Sequence, residues 1–133
     1  MLERRIFEGI YNQKNEIVEL VSVKFLNSLL NEDYENNELD SLWRQICRDG
    51  MTAPIIIHAN IKNNKLRILD GKKRIKLFRN EGIMVAPAYL IIDNKFDDDD
   101  GVEHSLCLPG ILDSTSKNFE IKTKPSEVIT SLN

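Results

Sequence analysis

Asp70-Gly71 followed by Lys72, Lys73 and Arg74 is the run whose residue types and spacing suggest a specific chemistry, the holding of a phosphate group. Leu66 to Leu69 reads as the end of a strand, and Ile75, Leu77 and Phe78 give a short helix its apolar positions before Gly82 stops it. Gly71 to Arg74 then form the helix's first turn. The leading N–H groups of a helix lack intrahelical partners and the dipole is positive there, so an anion is favoured before any side chain is counted. Cations in that turn oppose the dipole by roughly 0.3–1 kcal/mol each at low salt, and a bound anion would relieve the conflict. The plainer alternative makes Asp70 an ordinary N-cap and leaves the lysines solvated.

Other candidate groups carry weaker signals. Cys47 and Cys107 are the two cysteines, in no metal-ligand spacing, and read as reduced thiols. Asp97 to Asp100 with Gly101 imitates a calcium loop, but placing Gly101 at the sixth position puts Phe96 first and Cys107 twelfth, where carboxylates are needed. A solvated acidic loop is expected instead, and no metal site. His58 and His104 form no Ser-His-acid or Cys-His arrangement by spacing, and His58, at the end of its strand, is expected at the surface or as a cap, with a place in the pocket as the alternative. Trp43, Phe78 and Tyr89 read as core residues rather than as stacking platforms for bases.

A chain of 133 residues suits one domain with enough length to bury a core unaided. The start, MLERRIFEGI, is too charged for a targeting segment, and no apolar run approaches the ~20 residues of a membrane span. A cytoplasmic protein with no membrane partner is expected. Abundant Asn, Lys and Ile suggest an AT-rich genome, bacterial or phage. The net charge of −3 argues against indiscriminate coating of nucleic acid, yet the charge is uneven. His58 to Gly82 holds eight Lys or Arg against Asp70 and Glu81, while Glu32, Asp33, Glu35, Glu38 and Asp40 form one acidic segment and Asp93 to Glu103 another.

The elements that must position the basic corner follow in order. Glu16 to Leu26 alternates apolar and polar residues and predicts a strand with a following turn. Glu38 to Arg48 predicts a helix with Leu39, Leu42, Trp43 and Ile46 on its inner face and Gly50 as its stop. Pro54 to His58 and Lys65 to Leu69 read as strands joined through Lys62-Asn63-Asn64. Val85 to Ile92 reads as a buried strand in which Pro87 suggests a sheet edge or bulge. Asp113 to Asn118 reads as a turn, Asn118 to Lys124 as an edge strand, and Ser126 as the cap of a short helix containing Val128, Ile129 and Leu132. The fold class expected is α/β, in the α+β sense: a compact mixed sheet with short helices. The divisions are a lead-in over 1–15, a domain over 16–92, and an acidic loop with a C-terminal extension over 93–133, packed on the same domain or paired with another chain.

The strand IVELVSVKFL, the helix ending Trp43 to Gly50, the segment GMTAPIIIH, and LRILDGKKRIKLFRNEGI followed by VAPAYLI resemble the N-terminal domain of the ParB/sulfiredoxin superfamily. The resemblance covers Glu16 to Ile92. In that family a Gly-x-x-Gln-Pro turn and a Gly-Glu-Arg-Arg or Gly-Cys-His-Arg turn together bind nucleotide phosphates, of CTP in ParB and of ATP in sulfiredoxin. Here the turns correspond to Gly50-Met51-Thr52-Ala53-Pro54 and Gly71-Lys72-Lys73-Arg74. The resemblance thus implies a phosphate site of Gly50, Thr52, Asp70, Gly71, Lys72, Lys73 and Arg74, with CTP or ATP as the ligand.

The departures bear on activity. Lys72 occupies the position of the family's reactive Glu or Cys, and a lysine supplies neither a carboxylate base nor a thiolate. Ala53 replaces the glutamine of the first turn, and Lys73 keeps a charge without the arginine fork. Nothing in the chain corresponds to the helix-turn-helix domain with which full ParB proteins read a centromere site. The expectation is a regulatory, non-catalytic domain binding nucleotide or nucleic-acid phosphate. Two alternatives stay open: a protein-interaction module using the fold as a scaffold, and a phosphotransferase or nuclease in which Asp70 has taken over the lost role.

Overall fold

A run of eight apolar residues, Val85–Ile92 (β4), forms the middle of the sheet because its neighbours cover it on both flanks. Such continuous apolar character is what a strand buried on both faces requires. The description comes from a computed structural model of the chain and covers residues 2–13, 16–31, 33–60, 64–92, 101–103 and 121–129.

On one flank of β4 lies Ile55–Asn60 (β2), parallel, in register from Ile55 opposite Ala88 to Ala59 opposite Ile92. Lys65–Asp70 (β3) returns antiparallel to β2, and Val102–Glu103 (β5) pairs with the outer edge of β3. The opposite flank of β4 is shared end to end. Glu19–Ser22 (β1) pairs with Val85 to Ala88, and Ile121–Thr123 (β6) pairs with Leu90 to Ile92, both antiparallel. The result is a six-stranded mixed sheet in the order β1-β4-β2-β3-β5, with β6 beside β4.

Five short helices complete the described fold: α1 (Leu2–Tyr11), α2 (Val23–Ser28), α3 (Asn36–Asp49), α4 (Lys72–Asn80) and α5 (Pro125–Val128). The mixed α/β class expected from sequence is the class observed. α4 is the hub of the helices, packed against both α2 and α3, and Phe78 on its inner face meets Phe7 of α1 edge-on at 5.7 Å between centroids. That geometry favours the aromatic pair beyond its buried area.

Several expectations change. The predicted strand over Glu16 to Leu26 is a strand only to Ser22, whose hydroxyl accepts from the Phe25 N–H at 3.3 Å and caps α2. Val23, Phe25 and Leu26 are consequently buried from a helix rather than by strand alternation. Pro87 sits in the middle strand, not in an edge strand; it faces Leu20 of β1 one residue before pairing with β2 begins at Ala88. Only one ladder therefore runs past the residue that lacks an N–H, which is how a proline is tolerated there. Residues 1–15, read only as a lead-in, contain α1, and Ile6, Phe7 and Ile10 are buried in the core.

At the other end, Thr123, Val128 and Ile129 are buried, so this part of the extension packs on the same sheet. Ser126 does not cap α5. Lys124 holds the N-cap position, and the Ser126 backbone N–H and hydroxyl both donate to the Glu19 carboxylate of β1, the hydroxyl at 2.9 Å. The Lys62-Asn63 turn, the Asp97–Asp100 loop, His104, Cys107, the Asp113 to Asn118 turn and Leu132 lie outside the described residues.

Candidate functional site

Gly71 is where β3 becomes α4, and the backbone there admits little else. Its φ of 106° and ψ of 16° are left-handed, and a Cβ would overlap Ile55 Cδ1 and stand 3.1 Å from Arg74 Nη2. Gly71 itself is the N-cap, and no side chain caps the helix. Asp70 is therefore not the N-cap considered above; it is the last residue of β3, and its carboxylate accepts from Arg74 Nη2 at 3.3 Å. α4 thus begins with uncapped leading N–H groups and with Lys72, Lys73 and Arg74 in its first turn, as the spacing predicted.

Arg74 differs from its two neighbours. Its side chain is only 15% exposed, and Nη1 donates to the Ala53 carbonyl while Nη2 holds Asp70. Burial pushes the guanidinium below its ordinary value, and the Asp70 carboxylate beside it pushes back the other way. The guanidinium is a tie between the Ala53 turn and the Gly71 corner. Lys72 is half-buried and Lys73 exposed.

Gly50 and Thr52, assigned to the site by the family resemblance, are not among the residues that line the open space at this corner, although Thr52 precedes the Ala53 whose carbonyl Arg74 holds. Gly50 ends α3 at φ 77°, donates to the Ile46 carbonyl at 2.8 Å, and would bring a Cβ to 3.4 Å from the Ile6 carbonyl of α1. Thr52 is exposed, and its carbonyl accepts from Gln13 Nε2 at 2.9 Å. Both are turned toward the N-terminal part of the chain. The structure brings together Asp70, Gly71, Lys72, Lys73 and Arg74.

Those five line an open groove of about 410 Å³ whose remaining wall is Tyr34, Leu42 and Leu69. Leu69 is 46% exposed at the end of its strand. The Lys73 ammonium lies 5.8 Å from the centre of the Tyr34 ring, within reach of its negative face. Lys73 also pairs with Glu38 at 3.9 Å, and Lys76 one turn on pairs with Asp33 at 3.7 Å. The acidic segment at the start of α3 therefore meets the basic helix, and part of the dipole conflict in α4 is relieved from within the chain. Tyr34 has no sequence signal of its own, and the helical spacing of Leu42 marks it only as core. The matching signal was the opposition of the 32–40 acids to the 72–76 cations, which was visible but not joined.

The remaining candidates fall elsewhere. His58 is neither at the surface nor a cap; it is 4% exposed on β2, and its Nδ1 accepts from Arg67 Nε at 3.1 Å across the β2–β3 ladder. Trp43 packs partly buried against the core and Phe78 is fully buried, whereas Tyr89 is half-buried with the Lys122 ammonium 5.8 Å from its ring centre. A second, apolar groove of about 180 Å³ lies between α1 and β1, lined by Ile10, Tyr11, Val18, Glu19, Leu20 and Pro87. Among the described residues no group of three or more His, Cys, Asp or Glu side chains could hold a metal ion, and no helix is long and apolar enough to cross a membrane. Set beside known proteins, the sequence matches no family model and no curated protein.

Proposed function

We propose that this chain is a small, non-catalytic binding domain that takes the phosphates of a nucleotide or of nucleic acid in the groove at the start of α4. The supporting observation is the pairing of two surfaces in one open space. Lys72, Lys73 and an uncapped helix start supply positive charge, and Tyr34, Leu42 and the exposed Leu69 supply an apolar wall. A volume of about 410 Å³ falls in the size range of small-molecule sites. The similarity to the ParB/sulfiredoxin superfamily points to the same corner and to CTP or ATP as the first ligands to try. Lys72 at the reactive position and an Asp70 already engaged with Arg74 both favour binding over turnover.

The test is a titration with CTP, ATP, ADP and short duplex DNA at two salt concentrations, beside a Lys72→Ala, Lys73→Ala variant that leaves Arg74 in place. Saturable binding that weakens with salt and drops at least about tenfold in the variant is expected. The four ligands separate a free nucleotide from a nucleic-acid backbone, and absence of binding to all of them would overturn the proposal. A protein-interaction role finds its own observation in the groove beside β1, where Tyr11 and Leu20 are 46% and 49% exposed. That role is the reading to take up if no phosphate ligand binds.

A further inference from the structure

We infer that the acidic segment spanning the start of α3 is an internal anion that competes with the phosphate ligand for the cations of α4; the inference rests on the phosphate-binding reading of the groove. Lys73 and Lys76 are three residues apart and so share one face of α4. Each is met by a carboxylate from the same short stretch, Lys73 by Glu38 and Lys76 by Asp33. Between the two acids in sequence stands Tyr34, which walls the groove and carries the Lys73 ammonium over its ring. Lys73 lines the groove and Lys76 lies one turn beyond its lining, so one segment walls the groove, holds a cation in it and holds the next cation along the same helix face.

The pairs are built to be given up. Separations of 3.7 and 3.9 Å exceed the 2.7–2.9 Å of a charge-assisted hydrogen bond. Asp33 is fully exposed and Glu38 and Lys73 are each about half exposed, so both carboxylates can withdraw into water, whereas Lys76 is 22% exposed and stays on the helix surface. Exposed pairs of this kind are individually weak and screened by salt. Glu38 has a second reason for its position, since an acid in the first turn of α3 favours that helix. Asp33 lies outside any helix and has no such reason.

Contact can be separated from net charge within the same segment. Glu35 and Asp40 are exposed acids on either side of Glu38, and neither pairs with α4 among the described contacts. The experiment compares the parent, an Asp33→Asn, Glu38→Gln variant and a Glu35→Gln, Asp40→Asn variant, each titrated with CTP, ATP, ADP and short duplex DNA at low salt. Both variants remove two negative charges, and thermal melting within a few degrees of the parent verifies that each is folded.

The Asp33, Glu38 variant is expected to bind roughly two- to thirtyfold more tightly than the parent, the range two weak surface pairs can supply. The Glu35, Asp40 variant should gain less than half of that factor. Equal gains in the two variants, or none in either, would overturn it while leaving a phosphate-binding groove in place. If none of the three proteins binds any of the four ligands, the inference and the reading beneath it both fall.

Discussion

Arg74 shows how two adjacent residues of like charge take opposite parts. Lys73 stays at the surface over Tyr34, while the next side chain turns inward to the Ala53 carbonyl and the Asp70 carboxylate. Replacing Arg74 by Ala removes both bonds, but the acceptors left behind, the Ala53 carbonyl and the Asp70 carboxylate, are exposed to water, so a loss of ~0.5–1.5 kcal/mol per bond is expected from urea unfolding. Lysine should recover little of it, because one ammonium does not reproduce a planar fork reaching two acceptors in different directions. Gly71→Ala should cost ~1–3 kcal/mol by the same measurement, since the new Cβ meets Ile55 in a backbone conformation that disfavours it. A substitution of Gly82, equally left-handed but with nothing near its Cβ position, should cost less than Gly71→Ala. The sequence marked Gly71 to Arg74 as a corner from the local strand-to-helix pattern. Which cation turns inward was not legible there, because that depends on Ala53, twenty-one positions away.

The elements were legible where their periodicity ran long enough to exclude the alternative. α3 shows four apolar positions at helical spacing and a left-handed Gly50 after it, and the observed Asn36–Asp49 contains the predicted span. β2, β3, α4 and β4 likewise fall on their predicted runs. The stretch from Glu16 to Leu26 misled because Ile17, Val21 and Val23 satisfy a two-residue alternation up to the point where Ser22 caps a helix of only six residues. A cap of one hydroxyl outweighed the pattern because Val23, Phe25 and Leu26 are all buried once the chain turns. Ser22→Ala should therefore cost ~0.5–2 kcal/mol, and Ser22→Asp much less, since aspartate caps as well as serine. Native-state hydrogen exchange at Phe25, whose N–H the hydroxyl accepts, would report the loss locally.

On the scale of the whole molecule, the core closes only when both ends of the described chain are counted. β6 extends the flank of β4 that β1 leaves uncovered, and Glu19 of β1 receives the start of α5. At the other end α1 places Ile6, Phe7 and Ile10 under the helices, all at most 2% exposed. Leu2, Ile6, Phe7 and Ile10 recur at helical spacing, so α1 is legible in the sequence by its period, and the charges of Glu3, Arg4, Arg5 and Glu8 between them are what make the stretch resemble a lead-in. Burial of three such side chains contributes ~1.5–3 kcal/mol each, and a domain of this size holds only ~5–15 kcal/mol in total. A chain shortened to begin at Glu16 should then lose most or all of its cooperative unfolding transition, followed through Trp43 fluorescence, because Phe78 would lose its edge-on partner and Met51 the Ile6 carbonyl that receives its N–H at 2.8 Å. Phe7→Ala alone should cost ~3–5 kcal/mol. If the shortened chain instead melts cooperatively near the full chain's midpoint, α1 is an accessory to the sheet and residues 16–133 stand as a folding unit. The phosphate groove separates the two cases again, since Arg74 ties its corner to Ala53 and the neighbouring Thr52 carbonyl is held by Gln13: loss of residues 1–15 should loosen that turn and weaken ligand binding even in whatever fraction of the shortened chain remains folded.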